Sequence, residues 1–103
     1  MPDWKPIARI EDCPPSSSLE VVAGEQIVAL FNVDGEFYAL DGVCSHQGGP
    51  LGKGAMKGCI VTCPWHGWQY DVRTGANQVN ASLTQRPLPV KVADGEVFVQ
   101  TDS

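Results

Sequence analysis

The sequence lacks an apolar run approaching the roughly 20 residues that a membrane-spanning helix needs. Its first residues, Met-Pro-Asp-Trp-Lys-Pro, also lack the apolar core of a signal peptide, so we expect a cytoplasmic protein with no membrane attachment. Basic residues are few, because 7 Lys and Arg stand against 12 Asp and Glu, for a net charge of −5. Since such a chain repels phosphate backbones, nucleic acid is not an expected partner.

A helical repeat of apolar residues is missing as well, and apolar residues recur instead at every second position. Gln26–Val33 is apolar and β-branched, Asp34-Gly35 follows, and residues 37–40 resume the pattern. An Asp-Gly pair between two such runs predicts a β-hairpin with a type I′ turn, because both central residues of that turn need positive φ. The same device recurs at Asp94-Gly95, between alternating valines.

The chain of 103 residues is long enough for one domain and too short for two. Further short strands are predicted within residues 4–10, 59–63 and 68–72, a turn over 73–75 and a polar surface loop over 14–18. Residues 43–58 are rich in glycine and predict a long loop, a feature that is usually functional in a compact domain. We therefore predict a single all-β domain over residues 1–103, built from short antiparallel strands.

Histidine is scarce, and both histidines stand close to a cysteine. The two pairs are Cys44-Ser45-His46 and Cys63-Pro64-Trp65-His66, with sixteen residues between them. Glycine or proline adjoins each pair, so both pairs are expected on loops. Two loops that each offer a soft thiolate and an imidazole are typical of a metal site. A closed zinc site with two Cys and two His is one alternative, although zinc sites usually pair like ligands within a loop.

These motifs resemble the signature of the Rieske iron–sulfur proteins. The similarity rests on Cys-x-His, sixteen residues and Cys-x-x-His, and extends to the flanking segments Cys44-Ser45-His46-Gln47-Gly48-Gly49-Pro50-Leu51-Gly52 and Cys63-Pro64-Trp65-His66-Gly67-Trp68-Gln69-Tyr70-Asp71. The resemblance implies a Rieske fold of stacked antiparallel sheets, with one [2Fe–2S] cluster held between two loops, roughly residues 43–71, at one tip. It makes Cys44 and Cys63 ligands of one iron and His46 and His66 ligands of the other.

The positions around the motif point to one branch of this family. Respiratory members clamp the loops with a disulfide, at positions occupied here by Gly49 and Trp65, which cannot form one. The serine that bonds the cluster in those members is Trp68 here, whereas Tyr70 matches their tyrosine donor. These departures favour the soluble, low-potential ferredoxins of bacterial oxygenase systems. The resemblance also gives Leu51 and Trp65 a shielding role, with ordinary packing as an equal alternative.

Two cysteines, Cys13 and Cys59, match no ligand position. Cys59 is expected to be a small buried apolar side chain at the start of a strand, and Cys13 receives no role. In the cytoplasm, cysteines point to metal or chemistry before they point to disulfides.

The main functional hypothesis is an electron carrier, not an enzyme, which connects a flavin-dependent reductase with a terminal oxygenase. An alternative is the small subunit of an NAD(P)H-dependent nitrite reductase, whose partner would be the large subunit. A zinc-stabilised interaction module is the third possibility. A neighbouring gene for an oxygenase or for a large sirohaem protein would separate the first two, and the colour of the purified protein would identify the third.

Overall fold

The computed structural model describes residues 3–24, 26–42, 50–64, 67–78 and 84–101. In these ranges the regular structure is almost entirely strand, with short 3₁₀ helices at Ile10–Asp12 and Leu51–Lys53. No helix in these ranges is long and apolar enough to cross a bilayer. The strands are β1 (Asp3–Arg9), β2 (Ser17–Ala23), β3 (Gln26–Val33), β4 (Glu36–Asp41), β5 (Ala55–Lys57), β6 (Ile60–Thr62), β7 (Gln69–Asp71), β8 (Pro87–Leu88), β9 (Val90–Ala93) and β10 (Glu96–Thr101).

The strands form three antiparallel sheets, which confirms the all-β prediction. A four-stranded central sheet has the order β2-β3-β4-β8, and a three-stranded base sheet has the order β1-β10-β9. The third sheet, β5-β6-β7, contains the residues that flank the second Cys/His pair. We call this last sheet the loop-bearing sheet.

Both Asp-Gly hairpins are present as predicted. Asp34 and Gly35 have φ values of 52° and 93°, and Asp94 and Gly95 have values of 53° and 78°. Positive φ at both central residues of each turn is the type I′ requirement, and it matches the right-handed twist of the flanking strands. The first hairpin therefore joins β3 to β4, and the second joins β9 to β10.

The central sheet separates two parts of the core. Successive side chains of a strand point to opposite faces, and β3 follows this rule with Val28 and Leu30 on one face and Ala29 and Phe31 on the other. Val28 and Leu30 pack with the buried residues of the base sheet. Ala29 and Phe31 pack in a separate cluster towards the loop-bearing sheet, with Leu40, Leu51, Val61, Cys63, Tyr70 and Val72.

Four predicted segments differ from the structure in their boundaries. The predicted loop over 43–58 is wrong from residue 50 onward, because the 3₁₀ helix Leu51–Lys53 and strand β5 lie inside it. The predicted loop over 14–18 is wrong at its end, since β2 begins at Ser17, which pairs with Asn32. Both segments are polar or glycine-rich, and pairing with distant strands overrides that local preference. The strands predicted over 59–63 and 68–72 exist but are each shorter by one residue at both ends.

Candidate metal centre

The structure describes one of the four predicted ligands, Cys63. The other three, Cys44, His46 and His66, lie outside the described residues, as do Gly49 and Trp65 at the positions of the respiratory disulfide. Within the described ranges, no group of three or more His, Cys, Asp or Glu side chains is placed to hold a metal ion. The geometry of the site is therefore given by the ends of the two loops and by the core beneath them.

The first loop has its two ends fastened together by the backbone. The Leu51 N–H donates to the carbonyl oxygen of Gly42 at 3.1 Å, and the Gly42 N–H donates to the carbonyl oxygen of Ile27 at 2.9 Å. A Cβ atom on Gly42 would lie 2.7 Å from Cγ2 of Ile27, so only glycine permits this approach. The segment that contains Cys44 and His46 consequently begins and ends beside the same end of strands β3 and β4.

The second loop is closed in the same manner. The Cys63 N–H donates to the carbonyl oxygen of Trp68 at 2.7 Å, directly beyond the Thr62 and Gln69 pair of strands β6 and β7. Gly67, in the turn between them, has a φ of 71°, a conformation that glycine adopts without steric cost. Cys63 thus lies at the end of the loop-bearing sheet, where the backbone joins the two ends of the segment whose sequence contains His66.

The ends of the two loops meet in one core. Leu51, at the end of the first loop, and Cys63, at the start of the second, are 0% and 1% exposed and belong to the same buried cluster. Gly54 reinforces the contact, because its N–H donates to the Leu51 carbonyl at 3.0 Å while its Cα packs against Val61 and Thr62 of β6. Because Cys63 and the end of the loop that contains Cys44 and His46 share one core, the described ends are compatible with a group held between the two loops.

Strand β2 fixes this arrangement to the rest of the molecule. The Ser18 hydroxyl donates to the Gly54 carbonyl at 2.7 Å, a contact that is partly buried. A Cβ on Gly52 would lie 2.7 Å from Cα of Glu20, so the backbones of β2 and the 3₁₀ helix are in direct contact. Sequence reasoning missed Ser18, Gly52 and Gly54, because a serine and glycines in polar segments are equally typical of solvent-exposed loops.

Of the two predicted shielding residues, Leu51 lies in the core beneath the loops, and Trp65 lies outside the described residues. Leu51 and Tyr70 are both 0% exposed, and Trp68 is half-buried against the same cluster. For Leu51 this confirms the packing role, and its shielding of a cofactor stays a prediction. A bond from the Tyr70 hydroxyl to the cofactor likewise stays a prediction.

The turn after β7 is held by an ion pair that the sequence analysis did not identify. Arg73 donates to both carboxylate oxygens of Asp71, from Nε at 3.1 Å and from a terminal nitrogen at 2.9 Å. This guanidinium holds the pKa of Asp71 below its ordinary value. The N–H of Gly75 also donates to the Asp71 carbonyl, at 2.7 Å, so the strand that contains Tyr70 ends in a fixed turn.

The remaining cysteines lie apart from the loop ends. Cys13 is fully buried with Leu30 and Val97, on the face of the central sheet opposite to Cys63. Burial raises the pKa of the Cys13 thiol. Cys59 is half-buried in the turn before β6, with its sulfur 4.0 Å from Oδ2 of Asp71. Its position differs from the predicted strand start by one residue, and it is partly buried, not fully buried as expected, although it packs against the same cluster as Cys63.

Comparison with known proteins decides the family. A family model described as "Rieske [2Fe-2S] domain" matches residues 3–100. The chain belongs to the Rieske [2Fe–2S] domain family. This membership confirms the resemblance and its cofactor, one Rieske-type [2Fe–2S] cluster.

Individual relatives extend the match along nearly the whole chain. The sequence is 32% identical over 99 residues to the anthranilate 1,2-dioxygenase ferredoxin subunit of Burkholderia cepacia, covering 94% of this chain and 91% of that protein. It is 35% identical over 94 residues to the biphenyl dioxygenase ferredoxin subunit of Pseudomonas sp. strain KKS102, covering 87% and 84%. The chain therefore has the length as well as the motifs of a Rieske ferredoxin.

Solved structures confirm the Rieske fold. The Sphingomonas yanoikuyae B1 ferredoxin superposes with a TM-score of 0.87 at 27% identity, covering 96% of this chain and 99% of that one. A chain from a complex of reduced oxygenase and oxidised ferredoxin in carbazole 1,9a-dioxygenase superposes with a TM-score of 0.85 at 28% identity, covering 94% and 92%.

Proposed function

We propose that this Rieske protein is a ferredoxin that accepts single electrons from a flavin-dependent reductase and delivers them to a terminal oxygenase. The observation that supports this most strongly is similarity over nearly the full length of ferredoxin subunits from dioxygenase systems. In this role the protein is an electron carrier and not itself an enzyme. We place it in the cytoplasm, where cysteine thiols remain reduced and available to iron.

For the cluster we propose the ligand set Cys44, His46, Cys63 and His66, within a single domain over residues 1–103. Cys44 and Cys63 would hold one iron, and His46 and His66 the other. The described geometry supports this set, because the ends of both loops are fastened and share one core. When bound, the cluster takes up and releases one electron, and two neutral imidazoles in place of thiolates make that uptake easier.

The protein supplies an apolar, buried support beneath the proposed site of this electron. Leu51, Val61 and Tyr70 are fully buried around Cys63, so water has little access from the core side. An apolar surrounding disfavours added negative charge, as does the net charge of −5 of the chain. Both effects oppose reduction and support a carrier at the low-potential end of the Rieske range.

Reconstitution with oxygenases tests the proposed function. Chemically reduced protein is mixed anaerobically with the oxygenase components of the anthranilate 1,2-dioxygenase, biphenyl dioxygenase and carbazole 1,9a-dioxygenase systems. We expect at least one of them to reoxidise it and, with oxygen and substrate added, to form product. Cys63→Ser is the inactive control and Cys13→Ser the matched active one. Reduced protein that none of these oxygenases reoxidises would contradict the proposal.

A further inference from the structure

Two apolar side chains are exposed side by side at the end of the β2–β3 hairpin. Val22 is 65% exposed and Ile27 is 39% exposed. They occupy directly opposite positions in the antiparallel register. Opposite residues on one face have their Cβ atoms about 4.5–5.5 Å apart, so the two side chains form one continuous surface. We call this pair the hairpin patch.

The hairpin patch lies beside the described ends of the first loop. Ile27 alternates with Ala29 and Phe31, which places it on the face of the central sheet that packs towards the loop-bearing sheet. Its carbonyl accepts the Gly42 N–H at 2.9 Å, and the Gly42 carbonyl accepts the Leu51 N–H at 3.1 Å. The patch is thus connected directly to the two residues at which the loop containing Cys44 and His46 begins and ends.

An ion pair lies beside the hairpin patch on this face. Glu20 lies two residues before Val22 on the same face of β2, and its carboxylate is 3.8 Å from Nζ of Lys53. The hairpin patch is therefore an apolar surface with an ion pair beside it on β2, and the Lys5 side chain lies close to Gly24 at the turn of the hairpin. Its apolar side chains suit an apolar region of a partner.

We infer that the hairpin patch is part of the surface on which the terminal oxygenase docks. This inference rests on the proposed function, which requires the cluster end of the molecule to face its electron acceptor. Backbone hydrogen bonds join Ile27 of the patch to Gly42 and Gly42 to Leu51, the two buried residues at which the loop of that end begins and ends. The oxygenase is chosen as occupant because a structure of similar fold, 28% identical, comes from a complex of oxygenase and ferredoxin. Val22 and Ile27 fit there as apolar contacts beside the cluster loop.

A polar, β-branched substitution tests the inference without disturbing the strand. In the double variant Val22→Thr/Ile27→Thr both new residues are β-branched and retain strand preference. The control is Val92→Thr, since Val92 is 50% exposed and lies on β9 of the base sheet. The measurement is the KM for the ferredoxin with whichever oxygenase reoxidises the wild-type protein, together with the reduction potential and the melting temperature.

The double variant should raise the KM by about five- to tenfold, as expected for lost apolar burial at an interface, with kcat and reduction potential unchanged. The effect should persist at high salt, because no charge is altered. Val92→Thr should remain within about twofold of wild type.

A double variant with wild-type KM would overturn the inference while leaving the proposed function intact. A higher KM for the reductase alone, or a dimer of wild-type protein that the double variant abolishes, would assign the patch to a different occupant and equally overturn it. Failure of the wild-type protein with every oxygenase would instead reject the proposed function on which the inference rests.

Discussion

Substitution by alanine at Gly54 and at Gly58 should lower stability in the opposite order from the one that their backbone angles alone suggest. Gly54 has an ordinary φ of −74°, which any residue can adopt. Gly58, in the turn between β5 and β6, has a φ of 60°, which favours glycine. Backbone preference alone therefore predicts that alanine is harmless at position 54 and harmful at position 58. The surroundings of the two residues predict the reverse order.

The reason is the space available for a Cβ atom. At Gly54 it would collide with the carbonyl oxygen of Thr62 and lie 2.7 Å from Cγ2 of Val61, whereas at Gly58 nothing lies within 4 Å. The Thr62 carbonyl belongs to β6 and stands next to Cys63, so the collision cannot be relieved by rotating a flexible side chain. Overpacking of this kind costs about 1–3 kcal/mol, and we expect Gly54→Ala to fall at about 3 kcal/mol.

Gly58→Ala should cost much less. A non-glycine residue in the left-handed region costs about 1–2 kcal/mol. Reduced freedom of the unfolded chain offsets about 0.4–1 kcal/mol of that cost. For a domain of this size 1 kcal/mol corresponds to about 4–8 °C in Tm, so we expect a decrease above about 10 °C for Gly54→Ala and of a few degrees for Gly58→Ala.

The assay is anaerobic thermal unfolding at a fixed scan rate, followed by circular dichroism and by the visible absorbance of the cluster. Gly54→Ala should also release the cluster faster, because the collision lies against the strand that carries Cys63. Equal decreases in Tm, or a larger decrease for Gly58→Ala, would refute the steric argument and the packing of Gly54 on β6.

Three further predictions concern the site and its support. Single replacement of Cys44, His46, Cys63 or His66 by alanine should abolish cluster assembly, measured as iron and acid-labile sulfide per chain. The variants Cys13→Ser and Cys59→Ala should retain the cluster. Loss of the cluster in folded Cys13→Ser would show that the ligand set is wrong. Ser18→Ala should lower the free energy of unfolding by about 1 kcal/mol, because the hydrogen bond to the Gly54 carbonyl is lost. If Ser18→Thr restores this stability, the hydroxyl group and not the packing of the side chain makes the contribution. Burial raises the pKa of the Cys13 thiol in the folded state. The stability that the protonated thiol contributes is therefore present below about pH 8.5, the ordinary pKa of cysteine, and is lost as the pH rises towards the folded pKa. Denaturant unfolding from pH 7 to 10 should therefore show a shallower alkaline loss for Cys13→Ala than for wild type, and identical slopes would contradict this assignment.

Much of the fold was predictable because its turns are encoded locally. The pairs Asp34-Gly35 and Asp94-Gly95 need only their own φ angles and the alternating residues beside them, and both hairpins formed as predicted. The Cys/His motifs could also be recognised from the sequence alone, because every histidine of the chain lies in them.

The unpredicted parts depend on contacts between distant segments. Strand β5 exists through its pairing with β6, although its own surroundings of glycine indicated a loop. Ser18 lies in a polar run, and its role appears only when the fold brings it to Gly54, 36 positions further along the chain. Glycine is required at position 54 because there is no space for a Cβ atom, and not because of its backbone angle. No turn motif in the sequence therefore predicts it.

The ligation of the cluster by histidine is the central claim, and the chain permits a direct test of it. Because His46 and His66 are the only two histidines, labelling the protein with ¹⁵N-histidine marks no other residue. Electron–nuclear double resonance on the reduced protein should show two nitrogen couplings to the cluster, both of which change on labelling. No coupling that changes on labelling, or a single one, would contradict the proposed pair of histidine ligands and with it the account of the site.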